Sequence, residues 1–198
     1  LYIGSGGGVK AGASCSRMFK DCKNLKEISF GRNFDTEDVT DMGWMFYACE
    51  NLVGLDADSL DTHNARNMSN MFDGCEGLRK LDVSGFDTAG VTDMSRMFDG
   101  CKSLQELDVS GFDTSHVTDM TSMFHGCESL IELDVSGFDT SRVTGISGMF
   151  CNCKSLKSLD VSGFDTSNVV DENIGTVIRG GMYAMFAGCE SLSELDVS

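Results

Sequence analysis

Apolar residues recur along this chain on a fixed period. The cysteines Cys22, Cys49, Cys75, Cys101, Cys127 and Cys153 are separated by 27, 26, 26, 26 and 26 residues, and Cys189 follows after 36. The most regular unit, Cys101 to Gly126, reads CKSLQELDVSGFDTSHVTDMTSMFHG. Its template is C-x-x-L-x-x-L-D-V-S-G-F-D-T-S-x-V-T-D-M-x-x-M-F-x-x. Two periodicities alternate within it. Met94, Met97, Phe98 and Cys101 fall at i, i+3, i+4 and i+7, one face of a short helix, with Thr92 or Asp93 placed to cap its amino end. Leu107, Asp108 and Val109 alternate in and out as a short strand does. Gly111 ends that strand, Asp113 and Thr114 form a turn, and Val117 opens the next extended piece.

No unit folds alone, because its nine apolar template positions have nothing to pack on. Stacking identical units places each residue type over itself and builds a continuous core. A 26-residue period lies within the leucine-rich-repeat range. The expected fold is therefore an α/β solenoid, a leucine-rich-repeat-like right-handed stack of about seven turns, each with a short parallel strand and a short helix. At a strand spacing of about 4.8 Å the stack would be roughly 30 to 35 Å long. Residues 1–14 read as an irregular or flexible lead and 15–198 as a single solenoid, with a ten-residue insertion near 171–181.

Composition supports a packed repeat protein and removes some functions. Hydrophobic residues make up 41% of the 198 residues and charged residues 23%, which argues against wholesale disorder. The formal net charge of −16 repels nucleic acid and anionic membrane surfaces and favours a basic partner. No run of about 18 apolar residues is present to span a bilayer. The opening LYIGSGGGVKAG lacks the regions of a signal peptide, and the final LDVS stops inside a repeat. A fragment of a longer chain is the expectation.

The phrases LDVSGFDTSHVTDMTSMFHGCESL and LDVSGFDTSRVTGISGMFCNCKSL resemble the bacterial surface-protein 26-residue repeat, a relative of the BspA-like leucine-rich repeats. The resemblance covers roughly Cys15 to Ser198. It implies a secreted or surface-anchored bacterial protein acting in adhesion or in binding a host or partner protein. It brings no catalytic residues. Three units depart from the pattern. Ala57, Leu60 and Ala65 replace Val, Phe and Val. Gly145 and Ile146 replace Asp and Met. The last departure is the insertion around DENIGTVIRGG.

The main candidate site is an acidic ladder. Asp56, Asp82, Asp108, Asp134, Asp160 and Asp196 take the outward position between inward apolar residues, flanked by Glu106, Glu132 and Glu194. Lys80 is the one basic residue in that flanking column. Carboxylates about 5 Å apart repel by roughly 1 kcal/mol in water, so something offsets the repulsion. Three answers stand open: hydrogen bonds to the following serine (Ser110, for example), a basic protein surface, or bound calcium, which favours clustered carboxylate oxygens. No other cofactor is expected. A second acidic column, Asp35, Asp61, Asp87, Asp113, Asp139 and Asp165, precedes a threonine each time and reads as turn-forming. The threonine rank invites an ice-binding reading, which its place in a turn disfavours. The ladder cysteines read as buried free thiols, and Cys151, at a variable outward position, as the best candidate for an exposed one. His63, His116 and His125 lack motif partners, and no catalytic constellation is visible. The expected function is a non-enzymatic protein-binding or adhesion module on the bacterial surface. The alternatives are a structural spacer and a calcium-stabilised module. Self-association through the open carboxy-terminal turn is a further expectation.

Overall fold

The computed structural model describes residues 8–31, 34–170, 173–174, 177–178 and 181–198. The rest of the insertion and the first seven residues lie outside the described residues. The chain winds into coils laid in register. A parallel bridge column links Ser14, Asp41, Asn67, Asp93, Asp119 and Gly145, each to the residue one coil on. Short strands mark two further lines of contact: β1 (Val9–Lys10) and β3 (Phe34–Asp35) on one, and β2 (Glu27–Ile28), β4 (Gly54–Leu55), β5 (Lys80–Leu81), β6 (Glu106–Leu107) and β7 (Ser158–Asp160) on the other. In the insertion β8 (Asn173–Ile174) pairs antiparallel with β9 (Val177–Ile178). Strand β10 (Glu194–Asp196) pairs in parallel with β7, so the chain regains its register across the 36-residue unit. The other parallel pairs are β1–β3, β2–β4 and β5–β6, each a two-stranded unit.

The expected helix in each turn is absent. Among the described residues helical geometry is confined to 3-10 turns, at Ala57–Ser59 and at Gly31, and no helix is long and apolar enough to cross a membrane. The backbone hydrogen bonds give the reason. The amides of Met94, Arg96, Phe98 and Gly100 donate to Asp119, Thr121, Met123 and His125 of the next coil, at 2.7 to 3.0 Å. The amides between them, those of Met97, Asp99 and Cys101, close tight turns onto Met94, Arg96 and Phe98. An α-helix commits every amide to the fourth residue back, whereas here every second amide is spent between coils. Arg96 at φ 56° and Gly100 at φ 69° turn the chain left-handed and exclude continuous helix. The apolar spacing survives this change, since Met94, Met97, Phe98 and Cys101 are all fully buried. Asp93 accepts the Ser95 amide at 2.9 Å and so forms a local turn instead of a helix cap.

The core is a set of columns. Phe19, Phe46, Phe72, Phe98, Phe124, Phe150 and Phe186 stack with ring centroids 5.5 to 5.8 Å apart and planes within 8° of parallel. Such offset aromatic pairs add to burial by about 0.5–1.5 kcal/mol each. The ladder thiols from Cys49 to Cys189 donate to the carbonyl of a phenylalanine one coil back, at 3.0 to 3.3 Å. All nine cysteines are free, and the exposed one is Cys22, whereas Cys151 is half-buried. Burial pushes the Cys49 and Cys153 thiols up to about 12, which keeps them protonated and inert. The unit with Ala57, Leu60 and Ala65 in place of larger residues still buries those positions.

Candidate functional site

The strand face carries the acidic ladder because the strand alternation leaves Asp no other direction. Leu107 and Val109 point inward and are buried, so Asp108 between them points out, and the same holds at Asp82, Asp134 and Asp160. Each carboxylate is held by its own loop. Oδ1 of Asp82, Asp108, Asp134, Asp160 and Asp196 accepts the amide of the serine two residues on at 2.9 to 3.0 Å and its hydroxyl at 2.7 Å. These serine bonds, hydroxyl first and amide second, hold the carboxyls of Asp82, Asp108 and Asp134 below the usual carboxylate value. At Asp196 the amide contributes most. Serine thus answers part of the repulsion along the ladder. Oδ2 takes no part in these bonds.

Glu106 meets Lys80 at 3.4 Å, with both side chains 74% exposed, so this pair is weak. Glu132 and Glu194 have no ion pair among the described residues. Two shallow hollows lie over the face. One, of about 700 Å³, runs over Leu81, Leu107 and Leu133 and touches Asp82, Glu106, Asp108, Glu132 and Asp134. The other, of about 390 Å³, runs over Leu133 and Leu159 and touches Asp160, Glu194 and Asp196. Both include Glu132, Leu133 and Asp134. Eight of the nine expected ladder residues therefore border one continuous acidic surface. Asp56 lies outside both hollows, next to the 3-10 turn. Among the described residues no three His, Cys, Asp or Glu side chains converge to hold a metal ion.

The threonine rank from Thr36 to Thr140 is buried and is not a surface; Thr166, after it, is exposed. Thr62, Thr88 and Thr114 are buried, each donating to the carbonyl of the aspartate one coil on at 3.0 Å and accepting its amide at 2.7 to 2.8 Å. A buried rank cannot meet an ice lattice. The aspartates before them, such as Asp113 and Asp139, accept local amides, as the turn reading expects.

One polar group went unseen in the repeat template. The residues after the stacked phenylalanines form a column on the turn face: Tyr47, Asp73, Asp99, His125 and Cys151. His125 Nδ1 lies 2.6 Å from Asp99 Oδ1, and Asn152 Nδ2 lies 3.4 Å from His125 Nε2. Arg96 reaches Asp99 at 3.5 Å. Burial, then the charge of Asp99, pushes Asp73 up to about 7. The bond to Asp99 raises His125 above its ordinary value. These partners are 26 residues apart, so no local motif announces them. Reading the sequence column by column finds them. His63 likewise lies 2.6 Å from Asp61 on the exposed surface.

Two solved structures are similar to this chain at low identity. A leucine-rich-repeat protein of T. pallidum is 18% identical with a TM-score of 0.43, matching over 96% of this chain and 63% of its own. This chain thus spans less than two thirds of that protein. A leucine-rich-repeat protein of Bacteroides ovatus is 14% identical with a TM-score of 0.41, over 99% of this chain and 68% of its own. No curated protein matches the chain. A family model described as "Mycoplasma protein of unknown function, DUF285" matches residues 13–130 and 100–198. Because those two matches together span nearly every repeat, the chain belongs to the DUF285 family.

Proposed function

We propose that this chain is a non-enzymatic binding module of the BspA-like surface-repeat type, and that its acidic strand face takes an extended cationic segment of a partner protein. The observation that carries the reading is the continuous row of carboxylates over two joined hollows, in which Lys80 answers one acid and Glu132 and Asp134 sit at the junction. A row of like charges over a partly apolar floor of leucines suits a chain that alternates lysine or arginine with apolar residues. Electrostatic complementarity of this kind gives rate and specificity more than raw affinity. The overall charge of −16 turns the module away from nucleic acid. We place it at the cell surface or secreted, where the surface-repeat resemblance puts such adhesion modules.

The test is calorimetric titration with a peptide of alternating lysine and leucine. Affinity is expected to fall more than about tenfold between low salt and ~1 M salt, where the screening length shrinks to about 3 Å. The double variant Glu132→Gln, Asp134→Asn should weaken binding several-fold at low salt. Equal affinity at both salt concentrations, or an undiminished double variant, overturns the reading.

A further inference from the structure

We propose that Asp73, Asp99, His125 and Asn152 form a proton-operated latch that ties successive coils together on the turn face and loosens as pH rises through neutrality. The geometry is a polar column one residue outside the phenylalanine stack. His125 bridges Asp99 on one coil and Asn152 on another, at 2.6 and 3.4 Å. Asp73 stands on the coil before Asp99, and its side chain has no hydrogen bond or ion pair among the described residues. The Asp99 side chain is 13% exposed, so water screens it poorly. The other groups facing the column are Arg96, which touches Asp99, and Cys151, next in line. The thiols of Cys101 and Cys127 lie behind it and stay protonated. Tyr47 precedes Asp73 in the same column.

Immediately behind these side chains run the inter-coil backbone bonds. Gly74 donates to Asp99, Gly100 to His125 and Gly126 to Cys151, each at 2.7 Å. With His125 protonated and Asp73 neutral, the cations of His125 and Arg96 flank the Asp99 carboxylate and no second carboxylate competes for them. Asn152 must then turn its carbonyl oxygen toward Nε2, because both ring nitrogens donate. With His125 neutral and Asp73 ionised, two carboxylates face each other across one coil spacing.

The two titrations act in the same direction. Asp73 keeps its proton in the fold up to about 7 but releases it near 3.8 when unfolded, so the fold loses stability as pH rises across that interval. His125 is raised above 6.5, so its contribution is full below that value and is lost as pH climbs through the folded midpoint.

The experiment is amide hydrogen exchange on the intact chain, read as protection factors so that intrinsic exchange chemistry cancels. Protection at Gly74, Gly100 and Gly126 should fall roughly tenfold between pH 5.5 and pH 8, the effect of about one unit of differential proton affinity. Val91 and Val117, whose amides bond within threonine turns, should hold steady. Asp73→Asn removes one of the two titrations, so it should leave the three glycine amides better protected at pH 8 than in the unaltered chain. Two results would overturn the latch: flat protection at the glycines, or a loss shared equally by Val91 and Val117. As a check that needs no variant, the His125 ring should titrate above 6.5 by NMR, and a midpoint at or below that value would also reject it.

Discussion

At the scale of single residues, Thr114 shows how one side chain can hold two coils together. Its hydroxyl donates to the Asp139 carbonyl at 3.0 Å and accepts the Asp139 amide at 2.7 Å, out of reach of water. Thr114→Val keeps the shape and removes both bonds, leaving a part-buried amide and carbonyl of Asp139 without their threonine partner. The expected loss is about 1–3 kcal/mol in chemical denaturation, and Thr114→Ser should recover most of it. The identity of Thr114 as a turn residue was readable from the sequence. Its partner was not, because that partner lies 25 residues away and is found by stacking alone. The same holds for Asp99 and His125. Asp108 is the opposite case: its outward direction follows from Leu107 and Val109 on either side, and its serine is two residues along the chain.

At the scale of the element, the turn row is where reading by period failed. Spacing of i, i+3, i+4 and i+7 reports which residues share a face, and it reports nothing about where the amides go. A run of tight turns with left-handed residues presents the same face as a helix does. Gly100 at φ 69° is one of those turning points, and a Cβ there would find only ordinary contact with Gly74. Gly100→Ala is thus expected to cost about 1–2 kcal/mol from backbone strain alone. Ser122, at φ 56° in the neighbouring row, should tolerate glycine without loss. The Ser122→Gly variant separates strain from packing, since it relieves one and leaves the other untouched. Far-UV circular dichroism should lack the helical double minimum in all three proteins, and a strong helical signal would contradict the turn assignment.

At the scale of the whole molecule, nearest-neighbour contact governs. Each coil touches the coil before and the coil after, so stability builds as a sum over coils and interfaces. Deleting residues 101–126 removes one unit and should rejoin like to like: the exposed pairs Lys102–Glu76 and Lys80–Glu106 each lose a partner, Glu128–Lys154 stays whole, and the phenylalanine stack closes up. Exposed pairs of this sort are worth about 0–1 kcal/mol each. The shortened chain is expected to fold, with a lower melting midpoint and with its Phe98 and Phe150 rings in contact. The deletion also removes Glu106, Asp108 and His125. A binding role for the acidic face then predicts weaker capture of the cationic peptide, whereas a pure spacer predicts none of that change. Failure of the deleted chain to fold would show that coils are not interchangeable.

The sequence alone determined the repeat, its register and the residues that share each face, because a side chain's burial is decided by its position within a 26-residue template that is copied almost without change. It also determined that the strand face is acidic, since alternation in a strand leaves an aspartate between two buried residues only one way to point. The tertiary structure decided what fills the space between those positions. Backbone amides bond to whatever lies within about 3 Å, and in a stack that neighbour is often the next coil. Competition from that coil turned the expected helices into turns, drew the threonines inside, and brought Asp99 and His125 together.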